Sequence, residues 1–260
     1  MAAKPTISDV AARAGVSKGA VSFALNGRPG VSPETRDRIL RAADDLGFVR
    51  NATARALSSR RSGSLGLIIA RNFATLRSDP FFPPFIAGVE SAIASSGQLL
   101  VVRLVADQDA EFEAYRELSQ TGRVDGVFVT DIRADDQRPA LLRQLGLPAV
   151  TLNRPTVPST APAVCMDDRP AVREAMEHLV GLGHRRIGHV GGPRRYLHAI
   201  ERRQVWADVL RHHGLSENLW VEADFSAAGG AAATRQLLDQ PDPPTAIRSL
   251  AYRIAVGGSG

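Results

Sequence analysis

The chain has 260 residues, 44% hydrophobic and 23% charged, a balance that suits soluble globular protein with room for one small and one larger folded unit. Its single cysteine, Cys165, excludes an intramolecular disulfide, and neither a secretory signal nor the roughly 18 consecutive apolar residues of a membrane helix can be found. A cytoplasmic address and no membrane role are therefore expected. The net charge of +5 is unevenly placed: residues 1–62 hold 11 Lys and Arg against 5 Asp and Glu, whereas residues 63–260 hold 21 against 22. A compact basic module on a near-neutral body is the footprint of a protein that docks on a phosphate backbone. A merely solvated basic tail would lack the apolar periodicity found there.

In chain order, Ile7, Val10, Ala11 and Ala14 recur at helical spacing between an N-cap at Thr6 and a stop at Gly15. A second short helix follows, capped by Ser17, with Ala20, Val21, Ala24 and Leu25 on one face, and it is broken by Asn26-Gly27 and Pro29-Gly30. Ser32-Pro33-Glu34 opens a third helix, whose Ile39, Leu40, Ala43 and Leu46 run inward until Gly47. Residues 50–62, NATARALSSRRSG, read as a linker with helical potential, too short to be stable alone and suited to ordering on binding. From Ser64 the texture changes. LGLIIA, QLLVVRLV, VDGVFVTD, LPAVTLN and RRIGHVGG are strand candidates, with helices at about 83–96, 109–121, 136–145, 169–182 and 199–213. This alternation predicts a parallel, doubly wound α/β sheet, whose ligands bind at the carboxyl ends of the strands. The proline-rich RPTVPSTAPAV reads as a crossover between two lobes.

The strongest motif is TISDVAARAGVSKGAVSFALNG, two short amphipathic helices about an Ala-Gly-Val turn at helix-turn-helix spacing. In such a unit the second helix enters the major groove, which makes Lys18, Gly19, Ser22 and Phe23 the outward candidates. A plain helical hairpin within a bundle is the competing reading, and the basic charge and the Ser/Lys face weigh against it. Other chemistry finds no constellation. His184, His189, His212 and His213 have no carboxylate or cysteine at zinc-site spacing; GHVGGP lacks both the P-loop Lys-Ser/Thr and the dinucleotide glycine pattern; and Cys165 has no evident activating base. No metal, no cofactor and no enzymatic activity are expected.

With these residues in view, the chain resembles the LacI (lactose repressor) family of bacterial regulators. TISDVAARAGVSKGAVSFALNG and VSPETRDRILRAADDLGFVRNATARAL follow the family's opening pattern. DPFFPPFIAGVESAIASSG, VDGVFV, LPAVTLNRP, REAMEHLVGLGHRRIGHVGGP and PPTAI continue it more loosely over residues 5–247. The resemblance implies an N-terminal all-α helix-turn-helix (1–49), a hinge helix (50–62) and a two-lobed periplasmic-binding-protein-like α/β core (63–247, lobes about 63–157 and 158–247). It implies a repressor, more than an activator, that works as a homodimer on double-stranded two-fold operator DNA and senses a small polar effector such as a sugar or derivative. By position, Thr6, Ser17, Ser22 and Asn26 would hold phosphates, and Lys18, Gly19 and Phe23 would face bases. Leu57 would wedge into the minor groove, with Arg55 along the flanking phosphates. Phe81, Phe82, Asn153, Arg202 and Phe225 would line the effector cleft. Two departures stand out: Gly19 has no side chain to read with, and Phe23 stands where a polar residue is common.

Beyond Ile247 the family continues with an Asn-Asp turn, a further strand and helix, and a return to the first lobe, whereas this chain runs RSLAYRIAVGGSG. Residues 248–260 are therefore expected to be an atypical tail left by truncation or a frame change near Arg248. The second lobe would be incomplete, with weak effector response, reduced dimer contact and a tendency to aggregate. Three competing classes remain at this point: a solute-binding receptor, which would need an export signal and no basic module; a sugar-metabolising enzyme, which would need an acid, base or metal site; and an effector-insensitive remnant.

Overall fold

A computed structural model describes residues 5–48, 61–71, 76 and 79–249, and the chain divides into two compact units, residues 1–60 and 61–260. Arg55 and Leu57, and with them the expected hinge helix, lie outside the described residues.

The first unit contains α1 (Ile7–Ala14), α2 (Lys18–Leu25) and α3 (Pro33–Asp45). Each boundary has a local cause. The Thr6 hydroxyl and backbone N–H both donate to the Asp9 carboxylate at 2.7 Å, closing the start of α1 and holding Asp9 below the usual carboxylate range. Gly15 adopts φ 63°, a left-handed conformation that ends α1 and turns the chain toward α2. Ser17 Oγ then accepts from the Ala20 N–H at 3.1 Å, and Ser32 Oγ accepts from the Thr35 N–H at 3.3 Å ahead of Pro33. Val10, Val21 and Ile39 are fully buried among Ala11, Ala14, Ala24, Ala42 and Ala43. The alanines let short helices approach closely, while each large aliphatic contributes roughly 1.5–3 kcal/mol by burial.

The second unit is α/β with every strand pair parallel. Its elements are β1 (Ser64–Ala70), α4 (Phe82–Ala94), β2 (Leu99–Val105), α5 (Gln108–Thr121), β3 (Gly126–Val129), α6 (Arg138–Gln144), β4 (Ala149–Leu152), β5 (Ala163–Val164), α7 (Arg169–Gly181), β6 (Ile187–Gly191), α8 (Leu197–His212), β7 (Trp220–Glu222), α9 (Ala227–Leu238) and β8 (Ala246–Ser249). The strands form a five-stranded sheet ordered β2-β1-β3-β4-β5 and a three-stranded sheet ordered β7-β6-β8. Alternation along β1 fills both faces of the first sheet. Ile68 joins Tyr115, Leu118, Val127 and Leu142 on one side, while Leu67 and Ile69 meet Phe82, Phe85 and Leu100 on the other. Asp125, just before β3, accepts from the backbone N–H groups of Ser62 (2.6 Å) and Gly63 (2.9 Å), fixing the point where the core chain begins.

Two expectations need correction. The proline-rich stretch is not wholly a crossover, because its end returns to the first sheet: Ala163 and Val164 pair with Thr151 and Leu152 as β5, so the first lobe extends past residue 157. Residues 248 and 249 are not tail, because parallel pairing of Arg248 and Ser249 with His189 and Val190 carries β8 two residues past Ile247. The two lobes meet through backbone pairing between the loop after β3 and the start of α8. The Leu197 N–H donates to the Ile132 carbonyl at 2.8 Å, and the Ala134 N–H to the Arg195 carbonyl at 3.1 Å.

Candidate DNA-reading face and effector cleft

Burial of Val21 and Ala24 sets the orientation of α2 and leaves Ser17, Lys18, Gly19, Phe23 and Asn26 exposed, with Ser22 half-buried beside them. Residue types on this strip differ in what they have to offer. Lys18 supplies a mobile cation. Ser17 is already occupied as the cap, and Asn26 Nδ2 donates to Ser22 Oγ at 3.3 Å, which orients the amide. Phe23 is 42% exposed, and its ring leans over Gly30, where a β-carbon would fall 3.3 Å from Phe23 Cδ2. The far end of α2 is held by Arg36, whose guanidinium donates to the carbonyls of Ala24 (2.9 Å) and Arg28 (2.8 Å). A cation there also faces the negative end of the helix dipole. The strip is thus one exposed face on a helix clamped at both ends.

In the second unit, residues just past the carboxyl ends of the parallel strands converge. Arg71, after β1, makes a two-pronged ion pair with Asp131, after β3, at 2.7 Å on both nitrogens, and a second pair with Asp79. Burial alone would lower its pKa, but the two carboxylates outweigh burial and raise it, so the charge is secure. The guanidinium also lies over three aromatic rings, at 4.6 Å from Phe225, 5.3 Å from Phe82 and 5.6 Å from Tyr196. His198 stacks on Phe225 at 5.5 Å and on Tyr196 at 5.8 Å. Burial, with the Arg202 and Arg71 charges, pushes the His198 imidazole down to about 4 against the pull of Asp131 and Asp168, so it is neutral at neutral pH. Arg202, on α8, pairs with Asp168. Aromatic faces and fixed charges are therefore gathered in one cluster at the strand ends.

Backbone strain marks the same place. Among the described residues, the non-glycine residues at positive φ are Asp131 (52°), Asn153 (72°) and Phe225 (66°), each past the carboxyl end of a strand. Conformations of this kind cost of order 1–3 kcal/mol and persist where the surroundings impose them, as at ligand sites. Phe225 is further fixed by Gly192, since a β-carbon there would fall 2.1 Å from Phe225 Cε1.

The sequence-derived cleft residues are distributed unevenly. Phe225, Phe82 and Arg202 take part in this assembly. Phe81 is partly exposed and stacks on Phe85 at 5.4 Å, while its neighbour Phe82 is buried. Asn153 Oδ1 accepts from the Met166 N–H at 3.0 Å, bracing the chain after β5. Arg71, Asp79, Asp131, Tyr196 and His198 escaped the sequence reading, although Arg71 and Asp131 directly follow strand runs, the position where α/β sheets place ligand contacts. A separate cavity of about 490 Å³ opens beside β3 and β4, lined by residues such as Phe128, Pro139, Val150 and Pro162 and by none of the cleft residues above. No described helix is long and apolar enough to cross a membrane, and no cluster of three or more potential metal ligands occurs among the described residues.

Comparison with known proteins adds independent findings. Residues 6–51 match the family model described as bacterial regulatory proteins of the lacI family, and residues 62–259 match that of periplasmic binding proteins and the sugar binding domain of the LacI family. The HTH-type transcriptional regulator CelR of Thermobifida fusca is 35% identical over 244 residues, covering 92% of this chain and 72% of CelR. The HTH-type transcriptional repressor CytR of Escherichia coli K12 is 31% identical over 245 residues, covering 93% and 70%. Among solved structures, a CelR–cellobiose complex shares 32% identity at TM-score 0.64 over 94% of this chain and 73% of that one. A lac repressor dimer bound to operator and the anti-inducer ONPF shares 26% at TM-score 0.77 over 95% and 74%. Fold and comparisons define a transcriptional regulator with a helix-turn-helix headpiece and a sugar-binding-type α/β core. The chain belongs to the LacI family.

Proposed function

We propose that this protein is a repressor that binds a two-fold operator as a homodimer and changes its operator affinity when a sugar or sugar derivative occupies the strand-end cleft. In this reading residues 1–49 are the headpiece, 50–62 a hinge that reaches the minor groove through Leu57 and Arg55, and the core from residue 63 the sensor. Thr6, Ser17, Ser22 and Asn26 hold phosphates, Lys18 and Phe23 face base edges, with Phe23 suited to a thymine methyl, and Gly19 lets the helix approach closely. Phe82, Phe225 and Arg202, with Arg71, Asp131 and His198, form the effector wall, and Phe81 and Asn153 frame it. The chain acts in the cytoplasm, on the nucleoid, and carries no catalytic role. Operator and effector binding are supported by the lac repressor and CelR complexes named above.

The observation that carries the proposal is the exposed, capped face of α2 within the strongly basic N-terminal sixty residues. Selecting bound sequences from a random DNA pool, with and without a panel of sugars, tests it. A palindromic consensus whose recovery falls with one sugar is the expected result. Recovery of no enriched sequence at low salt would overturn DNA reading, and a consensus indifferent to every sugar would overturn sensing.

A further inference from the structure

The second sheet carries a row of side chains that the effector wall leaves unused. Parallel pairing sets Trp220 of β7, His189 of β6 and Arg248 of β8 in register, and in-register partners share a face of the sheet. Helix α8 covers that face. Trp206 stacks on the His189 ring at 5.5 Å, and the Arg203 guanidinium lies 3.9 Å from the centre of the Trp220 ring. His189 is fully buried. Arg248 Nη1 donates to its Nδ1 at 3.5 Å, which keeps the neutral ring's proton on Nε2. That Nε2–H has no acceptor among the described residues. It points along the strand to Gly191, where a β-carbon would fall 3.2 Å from it, and Gly191 is the last residue of β6, at the carboxyl end where the cleft lies.

The charges around this donor do not balance. Arg202 has Asp168 as its partner, Arg248 has no carboxylate among the described residues, and Arg203 Nε is buried without an acceptor. Burial, then the nearby Arg202 charge, pushes the Arg248 guanidinium down to about 10. A buried donor without an acceptor and a half-buried cation that shares the distant Asp168 charge with Arg202 and has no direct ion pair are both unfavourable, and one group of anionic oxygens would relieve both. Guanidinium forks match carboxylate and phosphate geometry.

We propose that the effector is an anionic sugar derivative, bearing a carboxylate or a phosphate whose oxygens take the Nε2–H of His189 and the guanidiniums of Arg248 and Arg202. This proposal rests on the effector reading of the cleft and narrows it. A neutral sugar would leave the row unsatisfied, so the site discriminates against it.

The chain's two tryptophans, Trp206 and Trp220, both belong to this assembly, so their fluorescence reports occupancy in the full-length protein. Titrants are inorganic phosphate alone, a series of neutral hexoses, the same hexoses as 6-phosphates, and the corresponding aldonic acids. One anionic form is expected to bind at least about tenfold more tightly than its neutral parent, and the favoured series tells phosphate from carboxylate. His189→Leu and Arg248→Met are expected to bring that ratio near one, and Arg248→Lys to keep part of it, which guards against a variant that fails to fold. Neutral sugars binding as tightly as their anionic forms would overturn the proposal while leaving the effector reading intact. So would inorganic phosphate binding as tightly as any sugar anion in wild type and Arg248→Met alike. Silence from every series would overturn the effector reading itself.

Discussion

Phe225 shows how tightly single residues of the cleft are constrained. Its ring lies against Gly192, its backbone sits at φ 66°, and Arg71 lies over its face, so it has nowhere to retreat. Gly192→Ala is therefore expected to destabilise the core by about 1–3 kcal/mol through overpacking, read as a lowered urea midpoint at unchanged slope; an unchanged midpoint would mean that the ring moves freely. His198 gives a pH signature. Its folded pKa of about 4 lies below the unfolded value of about 6.5, so the unfolded chain takes up its proton first as pH falls. Stability is thus full above about pH 6.5 and lost between there and about pH 4, by on the order of a few kcal/mol. His189, pushed by burial down to about 3, adds to the loss in the same direction. Asp131, Asp168, Arg71 and Arg202 are the charged groups that face His198. His198→Phe should make urea midpoints fall less steeply between pH 7 and 5, and an identical slope would contradict this assignment. Aromatic residues and Arg202 were legible in the sequence by position within a family pattern. The polar partners were not, because Arg71, Asp131 and His198 look like ordinary loop or helix-start residues until the strand ends converge.

Elements were legible where periodicity was strong and obscure where it was short or diluted. Helices α1 to α3 and strands β1 to β4 coincide with the apolar runs of the sequence. Strand β5 is two residues long, β7 three, and α9 carries Gly229-Gly230 inside AAGGAAATRQLL, so neither alternation nor a helical stripe could announce them. Arg36 couples α2 to α3 from outside any such pattern. Arg36→Ala removes two charged hydrogen bonds from the end of α2, and a loss of about 1–3 kcal/mol in headpiece stability with weakened operator binding is expected. Helix unfolding followed by circular dichroism, together with operator titration, checks both. A stronger case lies between α5 and α6. Arg138, 1% exposed, donates to Glu111 at 2.9 Å, to Asp136 and to the Thr130 and Asp131 carbonyls, and so holds the loop that carries Asp131 into the cleft. Burial would raise the Asp136 pKa, but the Arg138 hydrogen bond and charge outweigh it and lower the pKa. Arg138→Met leaves Glu111 with Arg133 and Asp136 with the backbone N–H groups of residues 133 and 138 as partners, and removes the buried guanidinium between them, with an expected cost of about 3–5 kcal/mol in denaturant unfolding. A loss below about 1 kcal/mol would mean that water reaches the cluster.

At the scale of the molecule, the core carries an apolar face that the described elements leave uncovered. On the face of the sheet that α4 packs against, edge strand β2 exposes Val102 (40%) and Leu104 (38%). Beside it, α4 reads FPPFIAGVESAIA, and of its thirteen residues Phe82 and Ile93 are the buried ones. An unpaired edge and an adjoining apolar helix are unfavourable in water and mark an association surface. A second copy of the chain fits the proposed function, because one headpiece spans half of a two-fold operator and cannot read both halves. Placing charges on this face, as in Val102→Glu with Leu104→Glu, should leave the monomer folded, since both positions are already solvent-exposed. Sedimentation is then expected to show a shift from dimer to monomer. Operator affinity is expected to fall by at least about a hundredfold, while binding to an isolated half-site changes little, because linked half-sites gain affinity through effective concentration rather than new contacts. Residual non-specific binding should keep its steep salt dependence, which comes from the basic N-terminal residues that this substitution does not touch. Dimers that persist in the double variant would place the two-fold contact on another face, and equal loss on full and half operators would point to damage in the headpiece instead.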